Sequence, residues 1–172
     1  MLSFRKRNEK AKVRRLRPAL EGLEGRVVLS TFNVNTFSDT VAVNLKTGKD
    51  ASGNVSLRSA IMAADANPSS DTIVLPAGTF NLTIAPTGGD GSASGDLDIA
   101  ANLTIKGRTT GQTVIDGNSL DRVFHILSGH VAISNVVIEH GRAVGEGGGI
   151  LNSGGTVTLT SVQLFDNVAV SL

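Results

Sequence analysis

The side chains best suited to chemistry fall in three groups. Asp116, Asp121 and Arg122 lie in Ile115-Asp-Gly-Asn-Ser-Leu-Asp-Arg122. Two carboxylates held several Å apart are what glycoside hydrolysis needs. Acids that bind Ca²⁺ beside an Arg or Lys base are what an eliminative cleavage needs. The dipeptide Asp116-Gly117 followed by Asn118 nevertheless reads as a turn. Asp90, Asp96 and Asp98 surround Gly88-Gly-Asp-Gly-Ser-Ala-Ser-Gly95. A calcium loop supplies oxygens at fixed spacing, but the EF-hand pattern is absent, and the G-G-x-G-x-D pattern breaks at Ala93 and does not repeat. A flexible acidic loop is the expectation, with a single fortuitous ion site as the alternative. His125, His130 and His140 have no Glu or His at helical spacing and are expected on turns or the surface. Gly145-Glu-Gly-Gly-Gly-Ile-Leu-Asn152 fits neither glycine-rich phosphate motif, and no Ser/His/Asp set has a telling context. The sequence therefore assigns no catalytic, cofactor-binding or metal residue and no cofactor, and the chain is not expected to be an enzyme.

The elements that must carry these residues are short strands. His130-Val-Ala-Ile-Ser-Asn-Val-Val-Ile-Glu-His-Gly-Arg-Ala143 aligns without gaps to Thr156-Val-Thr-Leu-Thr-Ser-Val-Gln-Leu-Phe-Asp-Asn-Val-Ala169, at an offset of 26. Val131/Val157, Ile133/Leu159, Val136/Val162 and Ile138/Leu164 hold the same apolar slots. Leu103-Thr-Ile105 is a weaker copy 28 residues before Val131-Ala-Ile133. A period in the twenties marks a solenoid. Each period divides into three short strands, near 124–127, 131–133 and 136–138, then near 148–151, 157–159 and 162–164. Further strands are expected at 71–80, 97–99, 103–105 and 114–115. Three inward-facing strands per period is the plan of a parallel β-helix.

Upstream, Phe32, Val34 and Thr36 alternate with asparagines as a half-buried strand does. A helix follows: Ser56 can cap it, Leu57, Ala60, Ile61 and Ala64 share one face, and Asn67-Pro68 stops it. About three turns long, it needs a surface to pack against. The inferred role is a cap over the exposed end of the strands.

Several segments together resemble bacterial right-handed β-helix repeat surface proteins of the planctomycete type. Val55-Ser-Leu-Arg-Ser-Ala-Ile-Met-Ala-Ala-Asp-Ala-Asn67 resembles their S-L-R-E-A-I cap element, with Val55 where Cys is frequent and Ser59 where an acid is usual. Asp71-Thr-Ile-Val-Leu-Pro-Ala-Gly-Thr-Phe80 resembles the step that begins their first coil. Gly148-Gly149-Ile150 and Leu164-Phe165-Asp166-Asn167 resemble the paired signatures of polymorphic outer-membrane protein repeats. The resemblance covers residues 30–172 and implies an all-β, right-handed parallel β-helix (a pectate-lyase-like solenoid) of about three coils with an N-terminal amphipathic capping helix. It also implies an exported or cell-surface scaffold, adhesin-like, within longer proteins, so that the repeats at 71–172 are expected to be truncated. Polysaccharide lyases and hydrolases share that fold, which makes the N-terminal part of a carbohydrate-active enzyme the alternative.

The first 17 residues hold eight basic side chains and one acid, whereas the remainder holds eight basic and fourteen acidic ones. The basic character thus belongs to a tail, and a nucleic-acid-binding domain, which needs a basic folded face, is not expected. Residues 1–29 form a basic targeting tail, disordered or partly helical, without the apolar centre of an ordinary secretory signal. Arg17-Pro18 through Leu29-Ser30, followed by Thr31-Phe32, resembles the start of exported proteins of the same bacteria and implies secretion, the cell surface or the outer membrane. Residues 30–70 hold the strand and capping helix. No cysteine is present, so disulfides and thiolate metal sites are excluded. No apolar stretch is long enough for a transmembrane helix. The partner is left open, a cell-surface glycan or protein.

Overall fold

The computed structural model describes residues 29–67, 69–88 and 91–171. The tail at residues 1–29 expected to be a targeting segment, apart from Leu29, and Asp90 lie outside the described residues. Among the described residues no helix is long and apolar enough to cross a membrane.

The first strand among the described residues is short, β1 (Thr31–Asn33); it buries Phe32, with Val34 buried just beyond it. Helix α1 (Leu57–Asp65) follows a long loop. Its start is fixed twice over: the Ser56 hydroxyl accepts the Ser59 N–H at 3.0 Å, and the Ser59 hydroxyl accepts the Ser56 N–H at 2.8 Å. Ser59 thereby fills the reciprocal capping role that Glu or Gln commonly takes. Leu57, Ala60, Ile61 and Ala64 are buried as their spacing predicts, but so are Arg58, Ser59 and Ala63. The helix is covered more widely than a one-sided cap requires because loops wrap its other side. Ser59 Oγ donates to Gly48 O at 2.7 Å, and Arg58 bonds three carbonyls of the 92–96 segment.

The remaining elements are all strands: β2 (Asp71–Val74), β3 (Gly78–Asn81), β4 (Leu97–Ile99), β5 (Leu103–Lys106), β6 (Thr113–Asp116), β7 (Phe124–Ile126), β8 (His130–Glu139), β9 (Arg142–Val144), β10 (Ile150–Asn152), β11 (Thr156–Phe165) and β12 (Val168–Val170). Every pairing between them is parallel. A seven-stranded sheet runs β1-β2-β5-β8-β6-β3 with β11 on β8, a three-stranded sheet runs β10-β7-β4, and β12 pairs with β9. The fold is all-β and parallel, with one helix at its N-terminal side packed on β2 and β4.

The registers explain the repeat. Val131 sits opposite Val157, Ile133 opposite Leu159, Val136 opposite Val162 and Ile138 opposite Leu164. Leu103 and Ile105 lie opposite Val131 and Ile133. Parallel neighbours stack like residues at about 4.8 Å, so a column forms from Phe32 through Ile73, Ile105 and Ile133 to Leu159. The first four are buried, whereas Leu159 is 42% exposed, since β11 is covered on one edge alone among the described residues.

The division of each period into strands needs correction. Residues 131–133 and 136–138 belong to one strand, bent at Asn135 (φ 56°), and the next period bends likewise at Ser161 (φ 53°). A single residue in the left-handed region turns the chain while pairing continues on both sides, and Asn tolerates that conformation better than most residues. The first half of β8 therefore pairs with β5 and the second half with β6. Strands β9 and β12 went unforeseen, because three residues around a single alanine, Ala143 (buried) or Ala169 (exposed), give no periodic signal.

The paired glycine and asparagine signatures have a direct physical reading. Asn167 accepts the Gly141 N–H at 2.9 Å and donates to the Ile138 carbonyl at 2.8 Å. A side chain at Gly149 would place its Cβ 2.9 Å from Asn167 Cγ, too close to tolerate. Gly149 makes room for an asparagine that ties one period to the one before it.

Candidate functional site

Strand alternation sets up the site. In β4, Leu97 and Ile99 face the core and Asp98 faces out. In β7, Phe124 and Ile126 face in and His125 faces out. The β4–β7 register sets Asp98 directly beside His125. Asp96 enters β4, and Asp121 with Arg122 enters β7, so five polar side chains converge from two neighbouring strands. Four of them, Asp96, Asp121, Arg122 and His125, border a cavity of about 300 Å³ whose walls also include Pro86 and Ser153.

The contacts are specific. His125 Nδ1 lies 3.1 Å from Asp98 Oδ1, and its Nε2 lies 2.8 Å from Ser153 Oγ. Arg122 Nε lies 2.8 Å from Asp96 Oδ2. That ion pair is close in distance but lacks hydrogen-bond geometry, and among the described residues Nε and Nη1 of Arg122 are buried without a hydrogen-bond partner. Burial pushes the Asp96 carboxyl up to about 6, with the Asp98 and Asp121 charges adding to the rise and Arg122 and His125 opposing it. Asp65, at the end of α1, also rises to about 6, chiefly through burial, although the N–H groups of Ala100 and Ala101 hydrogen-bond to it.

The loop carrying Asp96 is held from behind. Arg58, fully buried, forms a two-pronged pair with Asp39 (Nε–Oδ1 2.6 Å, Nη2–Oδ2 3.1 Å). It also donates to the carbonyls of Ser92 (2.9 Å), Gly95 (2.8 Å) and Asp96 (3.3 Å). Asp39 in turn accepts the N–H groups of Thr83 and Ile84. Ser59 stands where an acid is usual, so no carboxylate follows Arg58 directly. Arg58 finds its carboxylate 19 residues upstream instead.

Of the residues singled out by sequence, the structure brings together Asp96, Asp98, Asp121, Arg122 and His125. It separates Asp116 and His140, which meet elsewhere, and His130, an exposed residue whose N–H bonds Asn102. Ser153 was missed, and a serine 28 residues from its partner carries no local signal. Asp116 accepts the Asn118 N–H at 2.7 Å within the turn that the sequence indicates.

His140 Nδ1 lies 3.2 Å from Asp116 Oδ1 and 3.9 Å from Glu139 Oε1. The hydrogen bond to Asp116 leads in raising its pKa above the ordinary 6.5, with the charges of Asp116, Glu139 and Asp166 adding to it. A raised folded-state pKa contributes stability below the unfolded value, and that stability is lost as pH rises through the folded value. An NMR titration is expected to find His140 protonating above 6.5. Asp116→Asn should bring it back toward that value, while an unchanged titration in the variant would refute the pairing.

No family model, curated protein or solved structure matches the chain. The fold and site define an all-β chain of parallel sheets with a polar cluster on the three-stranded sheet.

Proposed function

We propose that the chain is a right-handed parallel β-helix of about three coils with an N-terminal cap, and that it serves as an exported or cell-surface, adhesin-like scaffold. The observation that carries this reading is the in-register parallel stacking of like residues 26 and 28 positions apart. Strands stacked this way also repeat their outward side chains. Thr72, Thr104, Ala132 and Thr158 form one outward column, and Val74, Lys106, Ser134 and Thr160 another. Five of these eight side chains are Ser or Thr, and such a ladder suits an extended protein or glycan partner better than a small molecule, which favours a concave pocket. The test is location: an epitope-tagged chain in its source cell is expected in the surface or secreted fraction and open to protease added outside. Confinement to the cytoplasm would overturn the proposal.

One observation favours a second reading, a carbohydrate-active domain. Asp96, Asp121 and Arg122 share a single cavity, and paired acids on an outer strand face are what such chemistry uses. Release of soluble fragments from an acidic polysaccharide, abolished by Asp96→Asn, would replace the scaffold reading with this one.

A further inference from the structure

We propose that Asp98, His125 and Asp96 form a binding site for one divalent transition-metal ion of the zinc type. The first argument is an orphaned atom. The Asp98 side chain is 4% exposed, and its Oδ2 accepts the Gly91 N–H. Its Oδ1 is buried and makes no hydrogen bond among the described residues. A buried carboxylate oxygen left so is costly and calls for a partner.

The second argument is the histidine. Its Nε2 is engaged by Ser153 Oγ at 2.8 Å, which leaves Nδ1 turned toward the carboxylate at 3.1 Å in a geometry that makes no hydrogen bond. The serine hydroxyl can accept from Nε2–H; in that tautomer Nδ1 carries a lone pair beside a carboxylate oxygen, and a cation bound by both satisfies the two. Metal-binding histidines commonly donate their other ring N–H to an acceptor, and Ser153 Oγ stands where it can accept. Two ligands each about 2.0–2.2 Å from one ion stand roughly 3.0–3.5 Å apart, and the observed separation falls in that range.

Asp96 supplies the third ligand. One ligand atom from each of Asp96, Asp98 and His125 lies within 4.8 Å of the others, with Arg122 Nε beside the Asp96 carboxylate at 2.8 Å from its Oδ2. Three carboxylates (Asp96, Asp98, Asp121) against one guanidinium (Arg122) give the cluster a formal charge of −2, which a divalent ion neutralises. An imidazole with two carboxylates suits zinc or manganese rather than calcium or magnesium, which prefer oxygen alone. The other trio, Asp116, Glu139 and His140, is more exposed and has no orphaned buried atom.

Calorimetric titration of the metal-free full chain with zinc chloride is expected to show one ion bound per chain. His125→Gln and Asp98→Asn should each weaken binding by more than 100-fold, beyond the roughly 10–100-fold expected for Ser153→Ala as loss of an orienting partner. His140→Ala should leave it unchanged. Far-UV circular dichroism of each metal-free variant separates loss of the site from loss of the fold, and His125→Gln, on the side chain with more solvent contact, serves if Asp98→Asn does not fold. The proposal is overturned by no binding at millimolar zinc, by binding that survives His125→Gln, by loss in His140→Ala, or by calcium binding more tightly than zinc.

Discussion

Arg58→Met is expected to destabilise the chain by about 3–5 kcal/mol, the usual cost of removing one partner from a buried ion pair. Both side chains of the Arg58–Asp39 pair are essentially inaccessible, at 0% and 1% exposure. Methionine fills much of the volume, so the loss reports charge and hydrogen bonding rather than a cavity. It leaves the Asp39 carboxylate without a cation and the carbonyls of Ser92, Gly95 and Asp96 without their donor. Arg58→Lys should recover only part of this, since an ammonium cannot reproduce the planar fork. The Asp39→Asn, Arg58→Met double variant should lose less than the sum of the single changes, because no uncompensated charge remains. Urea denaturation followed by circular dichroism measures all four. A loss below about 1 kcal/mol for Arg58→Met, the level of an exposed pair, would show that the cation is dispensable.

That arginine also marks where the sequence stops being legible. The Ser56–Ala64 pattern announced a helix, its cap and its buried face, because capping and helical periodicity act over a few residues. Likewise the slots Val131/Val157 and Ile133/Leu159 predicted their own register, since parallel stacking repeats chemistry at a fixed interval. The Asp39 partner of Arg58 lies across a loop with no repeat and no spacing rule, so the sequence could show only that the acid expected at residue 59 was missing. The polar cluster was half visible for the same reason. Asp96 and Asp98 stood out as an acidic loop and His125 as an isolated histidine. Their meeting depends on the β4–β7 register, 27 residues apart, in which Leu97 and Ile99 match Phe124 and Ile126 too loosely to align by eye. Ser153 reaches His125 only because β10 continues that stack.

The apolar column gives the second large effect. Ile133→Ala is expected to cost about 2–5 kcal/mol, the range for a buried isoleucine whose cavity cannot fully collapse. Leu159→Ala should cost less than about 1 kcal/mol, as for exposed positions. The two residues occupy one slot of the repeat and sit opposite each other, yet Ile133 is 1% exposed and Leu159 42%. The difference arises from position along the stack: Ile133 has Ile105 on one side and Leu159 on the other, whereas Leu159 has a register partner on one side alone among the described residues. Midpoints of urea denaturation for the two variants, at equal slope, decide the matter. Equal losses would mean that something covers β11 in solution, and light scattering would then reveal association of the chain with itself. A small loss at Ile133 would be more damaging, because it would remove this side chain from the core and with it the stacked register on which the proposed scaffold depends.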